Sequence, residues 1–328
     1  MQSLIVEKAK LFLEHLFAEL EKNQVQIKPH WDIDHLCYRV ETIERYFALK
    51  KEFSKISTLL TESIVNGRPI ATFKLDRPLY FKQWQIDIIE LPAPKSGKIV
   101  TEGFEHIEVV VDESLEYLSN QYNYLKQDKN GLVKNFNKEL ELCLGTSNIK
   151  FHNLSLESVV KLELNSTVWK SIQYSMALDA LKAYKPLIAG TFPLGIANIK
   201  SDVDLIIQTS DFQQVIELAS ARWGQNGGFI FYKMKIDEQD SLVVNFTYDN
   251  VAFEIFAQNI EPVKQKAYQH FLIEEKLLKY KGPEFKEKIL RIRSKGTKTE
   301  PAFAQALNLD GNPYEQLLRL QTKSIKDL

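Results

Sequence analysis

Apolar residues in the first part of the chain recur with two different periods. From Leu4 to Glu21 they recur every three or four positions, which predicts an amphipathic helix. The stretch IDHLCYRV (33–40) alternates instead, which predicts a strand with His35, Cys37 and Arg39 on one face. The pattern predicts that this unit continues as a helix and two further strand regions, at residues 41–60, 63–75 and 84–91.

The same order of patterns then returns. FEHIEVVV (104–111) again places an acid before a histidine and then alternates, with His106 and Glu108 on one face. A helix over 114–126 and strands that end in KELELCLG (138–145) are predicted to follow. Each unit reads strand, helix and three strands, so the sequence predicts an internal duplication.

The duplication places ligand-type residues at positions that we interpret as equivalent. His35 opens the first unit and Glu90 lies in its last predicted strand, while His106 opens the second and Glu141 lies in its last predicted strand. Two imidazoles and two carboxylates can hold a divalent metal such as Zn²⁺, Fe²⁺ or Ni²⁺ with positions left open. Asp87 competes with Glu90 for the same face, because the alternation around them is irregular.

Each of these residues also has a structural interpretation. A histidine or glutamate on a strand is usually solvated or locally hydrogen-bonded, so only the repeated positions favour a metal site. Cys37 and Cys143 face the same side and are redox-active or, more commonly for such residues, small buried hydrophobes. His152 is a further candidate by sequence order alone.

Five segments of the first half occur in an order that resembles a known family: DHLCYRV, IIELPAPK, GFEHIEVVV, NKELELCL and IKFHNLSLESV. Over residues 1–164 the chain resembles the YecM-like family of the vicinal-oxygen-chelate (glyoxalase-type) superfamily. The resemblance implies paired βαβββ modules that form a cup around a metal held by His35, Glu90, His106 and Glu141. It also implies a small oxygen-rich ligand. The superfamily includes isomerases, epimerases, lyases, dioxygenases and binding proteins, so the fold names no reaction.

A different pattern marks the second half, in the stretch GTFPLGIANIKSDVDL (190–205). It predicts a glycine-flanked turn, a short helical piece and a strand with Asp202 and Asp204 on one face, about 7 Å apart. Two carboxylates this close repel each other unless a cation lies between them, and Mg²⁺ prefers such oxygen ligands. The Gly190-Thr191 turn offers N–H groups and a hydroxyl that suit a phosphate.

A third acid follows on a neighbouring predicted strand. SLVVNFTY (241–248) and VAFEIFAQ (251–258) are predicted strands joined by a hairpin turn at Asp249-Asn250. Glu254 lies in the middle of the second strand, and an acid buried there without a partner is costly. We interpret it as a third metal ligand, with a solvated edge-strand acid as the alternative.

The spacing Gly190-Thr191-x₃-Gly195-x₅-Ser201-Asp202-x-Asp204 resembles the nucleotidyltransferase superfamily of the DNA polymerase β type. The resemblance implies catalytic carboxylates that hold Mg²⁺, at Asp202, Asp204 and Glu254. It implies that a nucleoside triphosphate is bound by Gly190, Thr191, Gly195 and Ser201. Two positions depart from the pattern, because Thr191 replaces the usual serine and Leu194 stands where an arginine is common. Residues 170–318 further resemble a family of bacterial domains attached to this superfamily. By that resemblance, the candidates for the nucleotide or acceptor site are Lys298, Lys295, Glu300 and Tyr268.

Composition limits the remaining classes of protein. The 328 residues favour two domains, which we place at 1–165 and 166–328, and 44% hydrophobic residues are enough for two cores. The 42 basic and 43 acidic residues nearly cancel, which argues against a protein that wraps nucleic acid. Two cysteines exclude a disulfide scaffold and favour the cytoplasm. We expect no signal peptide and no contact with a membrane.

Together these patterns predict an α+β protein of two domains: a glyoxalase-like cup of paired βαβββ modules and a nucleotidyltransferase-like mixed sheet with helices. The leading hypothesis is a Mg²⁺-dependent nucleotidyltransferase that acts on a small-molecule, protein or RNA acceptor and is fused to a metal-binding cup. One alternative is a catalytically degenerate nucleotide sensor. Another is an isomerase or lyase whose only chemistry lies in the cup. The sequence leaves the base preference, the acceptor and the oligomeric state open.

Overall fold

The computed structural model describes residues 2–95, 97 and 100–321 of the chain. These residues form two compact units. The N-terminal unit comprises 2–111 and 115–160, and the C-terminal unit comprises 112–114 and 161–321. The division falls within the helix Leu156–Leu164, and Asn165 is the N-cap of the helix that follows.

The N-terminal unit consists of a first helix, α1 (Gln2–Lys22), and two consecutive modules. The first module comprises β1 (Asp32–Arg39), α2 (Ile43–Phe53), β2 (Ser57–Val65), β3 (Arg68–Phe81) and β4 (Trp84–Pro92). The second comprises β5 (Gly103–Val110), α3 (Leu115–Gln121), β6 (Gln127–Asp128), β7 (Glu139–Cys143) and β8 (Asn148–His152). Each module therefore runs strand, helix and three strands, the order that the internal repeat predicts.

All eight strands form one sheet, in the order β2-β3-β4-β1-β5-β8-β7-β6. The two opening strands, β1 and β5, lie side by side at its centre and pair antiparallel. In each module the last strand pairs parallel with the first, β4 with β1 and β8 with β5. The two halves of the sheet are thus related by the same repeat that the sequence shows.

One face of this sheet is apolar, and helices cover it. Ile33 and Leu36 of β1 and Ile107 of β5 share a core with Leu13 and Leu16 of α1, and all five side chains are almost fully buried. Burying a leucine or isoleucine side chain contributes roughly 1.5–3 kcal/mol each. The alternation of strand side chains leaves the polar residues of the central strands for the opposite face.

Two boundaries in the N-terminal unit differ from the sequence prediction. The helix predicted over 41–60 ends at Phe53, because the chain turns into β2 at Ser57; the turn Asn66-Gly67, with both φ angles positive, then joins β2 to β3. The prediction that KELELCLG contains the last strand of the second module is wrong. That stretch is β7, and the short strand β8 follows it after a turn at 144–147.

The C-terminal unit surrounds a smaller sheet with helices. Its strands are β9 (Leu187–Ala189), β10 (Val203–Gln208), β11 (Ile230–Ile236), β12 (Gln239–Tyr248) and β13 (Val251–Gln258). Its helices, after the shared α4 (Leu156–Leu164), are α5 (Ser166–Tyr174), α6 (Ala177–Ala180), α7 (Thr191–Leu194), α8 (Phe212–Trp223), α9 (Lys266–Arg293), α10 (Thr299–Leu307) and α11 (Pro313–Leu318). Met176, whose φ is 55°, separates α5 from α6.

The strand order β11-β12-β13-β10-β9 makes this a mixed sheet, because β10 pairs parallel with β13 and antiparallel with β9. Asp249 and Asn250 both have positive φ angles, which suits the tight hairpin predicted between β12 and β13. Gly282, with φ 76° and ψ −168°, breaks α9 into two helical parts just before Pro283. Within residues 2–95, 97 and 100–321, none of the helices has both the length and the apolar character needed to cross a bilayer.

Candidate functional sites

Two β-bulges shape the polar centre of the N-terminal unit. The pairing of β1 with β5 leaves Asp34 as an extra residue in β1 and Glu105 as an extra residue in β5. Each of these acids is followed by a histidine that it contacts: Asp34 Oδ2 lies 2.8 Å from His35 Nδ1, and Glu105 Oε2 lies 3.0 Å from His106 Nδ1. The bulges therefore orient both imidazoles through Nδ1, which leaves Nε2 to face other groups.

Glu108 is the group that both Nε2 atoms approach. Its Oε1 lies 3.3 Å from His106 Nε2, 3.5 Å from His35 Nε2 and 2.9 Å from Lys150 Nζ. His152 Nε2 lies 3.4 Å from Asp34 Oδ2. We call these mostly buried residues the central cluster: Asp34, His35, Glu105, His106, Glu108, Lys150 and His152.

Opposite charges are matched throughout the central cluster. Burial by itself would lower the pKa of His35, but the charge of Glu108 and the hydrogen bond with Asp34 raise it to about 10. Burial by itself would raise the pKa of Glu108, but Lys150 and His35 hold it well below its usual range. These shifts follow from desolvation being outweighed by nearby opposite charges. The charge pairs therefore keep His35 and Glu108 in their charged forms at neutral pH.

Three ligand-type side chains also converge here, and one of them is His106 of the central cluster. Cys37 pairs with Glu90 on β4 and with His106 on β5, and one ligand atom from each of the three lies within 4.8 Å of the others. Among the described residues, no other group of three or more His, Cys, Asp and Glu side chains comes this close together. A thiolate, an imidazole and a carboxylate suit Zn²⁺ with a position left open. Glu105 on His106 Nδ1 is the orienting contact that zinc-binding histidines usually have.

The structure brings together only part of the predicted ligand set. Glu90 and His106 belong to the converging group, whereas His35 lies among Asp34, His152 and Glu108 in the central cluster. Cys37, interpreted from the sequence chiefly as a buried hydrophobe, completes the group instead.

Glu141 does not take the place that the sequence assigned to it. It lies on β7, the penultimate strand of its module, and its Oε1 accepts a hydrogen bond of 2.5 Å from Asn148 Nδ2. On the last strand, Lys150 pairs with Glu108 as Glu90 pairs with Cys37 in the first module. Lys150 is thus the repeat equivalent of Glu90. Strand β8 is only five residues long and follows β7 after a turn, so the two strands are hard to separate from the sequence pattern. The match of DHLC with EHIE, extended to IKFH, is the signal that identifies Lys150.

In the C-terminal unit, the predicted acids meet on adjacent strands. Asp204 of β10 pairs with Glu254 of β13, and Asp202 immediately precedes β10. Gly190, the residue after β9, packs against Asp204. A Cβ added to Gly190 would lie 1.7 Å from Asp204 Oδ2, and the φ of Gly190 is +77°. Glycine is therefore required by the close approach of the carboxylate as well as by the backbone.

The three acids are under mutual repulsion. Burial raises the pKa of Asp204 well above its usual range, and the charges of Asp202 and Glu254 raise it further. Burial also raises the pKa of Glu254, as does Asp202, while Lys298 opposes the shift. Within the part of the chain that the structure describes, Asp202, Asp204 and Glu254 do not form a group whose ligand atoms all lie within 4.8 Å of one another.

Some polar groups of the glycine turn beside these acids already make hydrogen bonds within the protein. Thr191 Oγ1 donates to Ser201 Oγ at 2.9 Å, and the Gly195 N–H donates to the Phe192 carbonyl at 3.0 Å. Leu194 is fully buried, so a charged side chain would not suit this position here. Positive charge reaches the turn from α9 instead: the Lys286 ammonium would lie 3.2 Å from a Cβ placed on Gly195.

Two charged residues near Asp204, Arg293 and Glu274, were not predicted as site residues from the sequence. Arg293, at the end of α9, is buried and donates from Nε to the Ile196 carbonyl at 3.3 Å, and its charge lies near Asp204, Glu274 and Glu300. Glu274 is buried, and its Oε1 has no hydrogen-bond partner among the described residues. These two residues lie on either side of the break in α9 at Gly282, so their spacing gives no local signal, and only the packing of α9 brings them to the sheet.

Two family models together span most of the chain. One, described as "YecM protein", matches residues 2–163, and another, "Domain of unknown function (DUF4269)", matches residues 170–320. Protein YecM of Escherichia coli strain K12 is 35% identical over 149 residues, which cover 40% of this chain and 77% of that protein. The chain belongs to the YecM family through its N-terminal half. The expectation of a YecM-like half is confirmed, whereas the model that matches the second half names no nucleotidyltransferase.

Solved structures resemble parts of the chain more weakly. The structure named "Structural Genomics, Protein EC4020" has a TM-score of 0.41 and 28% identity, covering 48% of this chain and 90% of that chain. A Streptomyces coelicolor methylmalonyl-CoA epimerase has a TM-score of 0.26 and 10% identity, covering 37% of this chain and 95% of that chain. The Cid1 poly(U) polymerase has a TM-score of 0.28 and 14% identity, covering 43% and 42%. Scores this low do not carry an argument about function.

Proposed function

We propose that the chain consists of two domains with one metal-dependent site each, and that the C-terminal site transfers a nucleotidyl group from a nucleoside triphosphate. The observation that carries the proposal is the pairing of Asp204 with Glu254 on adjacent parallel strands, with Asp202 beside them and Gly190 against Asp204. Partly buried acids whose pKa values are raised by one another favour a site for a cation.

Each residue of this site has a role in the proposal. Asp202, Asp204 and Glu254 would hold Mg²⁺, which supplies charge neutralisation for the polyphosphate when it is bound. Thr191 and Ser201 would donate hydroxyl hydrogen bonds to phosphate oxygens. Lys298 and Lys286 would contribute the positive charge that the buried Leu194 cannot. Glu254 would also accept the proton of an acceptor hydroxyl.

The test is to incubate the full chain with Mg²⁺ and each labelled nucleoside triphosphate and to measure pyrophosphate release and transfer of the label. We expect turnover by the unsubstituted protein and loss of at least about 100-fold in Asp204→Asn and Glu254→Gln, the size of effect typical of a lost charge-stabilising group. Asp240→Asn, at an exposed acid of β12, is the control and should retain activity. Failure of the unsubstituted protein to bind any nucleoside triphosphate would refute the proposal.

The same experiment distinguishes the sensor alternative. Leu194, fully buried where an arginine is common in the related superfamily, favours a site that binds a nucleotide without turnover. Binding that requires Asp204 but releases no pyrophosphate with any acceptor would select this alternative.

We propose that the N-terminal site is a second metal centre. Cys37, Glu90 and His106 would hold Zn²⁺ or a related divalent metal, and the support is the convergence of their ligand atoms within 4.8 Å. The metal would polarise a bound oxygen of a small ligand, as in isomerase or lyase chemistry.

Metal analysis of the purified full chain tests this second site. We expect one equivalent of transition metal, lost in Cys37→Ser and His106→Ala. Glu141→Gln should keep the metal, because Glu141 is paired with Asn148 on a more distant strand. A metal retained by Cys37→Ser and lost in Glu141→Gln would instead support the ligand set predicted from the sequence.

A further inference from the structure

Two arginines lie close to the proposed N-terminal metal ligands. Arg39 follows Cys37 by two residues on β1, and its Nε lies 2.5 Å from Glu105 Oε2. Glu105 in turn contacts His106 Nδ1. Glu105 therefore links the Arg39 guanidinium to the proposed metal ligand His106, and it also balances the charge of Arg39.

Arg68 approaches the same place from the start of β3. Its Nη1 donates to the Ala93 carbonyl at 2.6 Å, which fixes the guanidinium beside the end of β4. Burial lowers the pKa of Arg68, and the positive charge of Arg39 lowers it further, while Glu90 and Cys37 have the opposite effect. In the register of β3 with β4, Ile70 pairs with Pro92 and Thr72 with Glu90, so Arg68 lies on the same face of the sheet as the proposed metal ligand Glu90.

Three cations near this site, Arg39, Lys150 and Arg68, differ in their ionic partners. Arg39 has Glu105 and Lys150 has Glu108 within salt-bridge distance, whereas Arg68 has no carboxylate within 4.0 Å among the described residues. The nearest acid in the metal group, Glu90, would be committed to the metal once it binds. A partly buried cation without a counter-ion is unfavourable, and a bound anion relieves it.

We propose that the N-terminal metal site takes a small carboxylate ligand, which Arg68 binds beside Cys37, Glu90 and His106; the proposal rests on the metal centre proposed above. The guanidinium suits this task because its N–H groups match the two oxygens of a carboxylate in a planar fork. With Nη1 engaged by Ala93, Nε and Nη2 form the edge that remains for the ligand. Phosphate shares this anionic chemistry, so the test includes it.

The experiment uses the full chain loaded with Co²⁺, whose visible spectrum reports changes at the metal. The protein is titrated with oxalate and, in a second arm, with inorganic phosphate, and Arg68→Gln is compared with the unsubstituted protein. Arg77→Gln, at an exposed arginine of the same strand, is the matched control. Circular dichroism and the Co²⁺ content of each variant establish that the fold and the metal site are intact.

We expect oxalate to change the Co²⁺ spectrum, with Arg68→Gln raising the dissociation constant at least about tenfold and Arg77→Gln leaving it within about twofold. Equal oxalate affinity in Arg68→Gln and the unsubstituted protein, at equal Co²⁺ content, would overturn the carboxylate proposal and leave the metal centre standing. Tighter binding of phosphate than of oxalate would also overturn it. Failure of the unsubstituted protein to take up Co²⁺ would instead overturn the metal centre, and this inference with it.

Discussion

The two units bury ionisable groups in opposite ways. In the central cluster of the N-terminal unit, Glu108 lies between His35, His106 and Lys150, so every acid has a cation or an imidazole beside it. In the C-terminal unit, Asp204 lies beside Asp202 and Glu254, and acids face acids. The pKa of Glu108 is accordingly lowered and that of Asp204 raised, although both are desolvated.

This difference between matched and repelling charges predicts which of the two sites depends on an added cation. A cluster of matched charges needs no added ion to neutralise it. Repelling carboxylates cost stability until a cation neutralises them, so their site gains most from binding. We therefore expect the C-terminal unit, more than the N-terminal unit, to be stabilised by Mg²⁺.

The largest expected effect is at the shared carboxylate of the central cluster. Glu108→Ala leaves Lys150 buried without its partner, which should reduce the free energy of unfolding by about 3–5 kcal/mol. Denaturant unfolding, with hydrogen exchange of β5 to localise the change, measures it. Glu116→Ala, at an exposed acid of α3, should change stability by less than about 0.5 kcal/mol. A loss below about 1 kcal/mol in Glu108→Ala would mean that the N-terminal charges are not mutually dependent.

The next effect concerns the close approach at the C-terminal acids. Gly190→Ala would place a Cβ 1.7 Å from Asp204 Oδ2, and relief of that overlap should cost about 3 kcal/mol of stability. Gly282→Ala is the matched control, because its φ of 76° and ψ of −168° are close to the 77° and −157° of Gly190, but no atom lies within 4 Å of the added Cβ. We expect about 1–2 kcal/mol there, from backbone strain alone. Equal losses in the two variants would show that Asp204 does not press on the turn.

A smaller effect, with the opposite sign, is expected when one repelling acid is removed. Asp204→Asn should stabilise the metal-free chain by about 1 kcal/mol, because it removes a desolvated charge from beside Asp202 and Glu254. Melting curves with and without Mg²⁺ measure both the gain and the response to the ion. The rise in melting temperature that Mg²⁺ gives the unsubstituted protein should disappear in this variant. A less stable Asp204→Asn protein that still responds to Mg²⁺ would contradict the comparison.

The smallest effect is at a paired acid near the surface of the N-terminal unit. Hydrogen bonds from Arg45 at 2.7 and 2.9 Å, with Tyr38 at 3.1 Å, lower the pKa of Glu102 below its usual 4.5. This contribution is complete above the unfolded value and is lost as the pH falls through the lower folded value. Glu102→Gln should therefore cost about 0.5 kcal/mol at neutral pH and nothing in strong acid. If the stability cost of Glu102→Gln persists below the folded pKa, it arises from the change in side-chain packing and not from the lost charge.

For Asp204 the sign of the pH dependence is reversed. Its folded pKa is raised, so the penalty for ionising it is absent below the unfolded value and complete above the folded one. Unfolding of the Asp204→Asn variant and the unsubstituted chain should thus converge as the pH is lowered. The two acids, Glu102 and Asp204, together provide a direct test of the contrast between the units.

Much of the N-terminal unit could be predicted from its sequence because alternation and the repeat are local signals. The strands that carry His35 and His106 follow from period-two patterns, and their duplication follows from the shared order of acid, histidine and apolar residues. The two bulges could not be predicted, because a bulge is a property of the pairing of two strands. Without the bulges, Asp34 and Glu105 would point to the face opposite their histidines.

The metal group shows the same limit. Sequence reasoning placed Glu90 and His106 in it, but Cys37 joins them through register across β4, β1 and β5, which only the assembled sheet fixes. Glu141 was misplaced because a short strand after a tight turn carries too few residues for a period to be recognised.

In the C-terminal unit, the sequence by itself determined the glycine turn, the paired aspartates and the strand that carries Glu254, since each is encoded within a few neighbouring residues. Only the tertiary structure decided that Asp204 pairs with Glu254, that Leu194 is buried and that Arg293 and Glu274 come to the same sheet. The reason is physical: periodicity and turn chemistry act over a few residues, whereas register, burial and charge matching depend on segments that are distant in the chain.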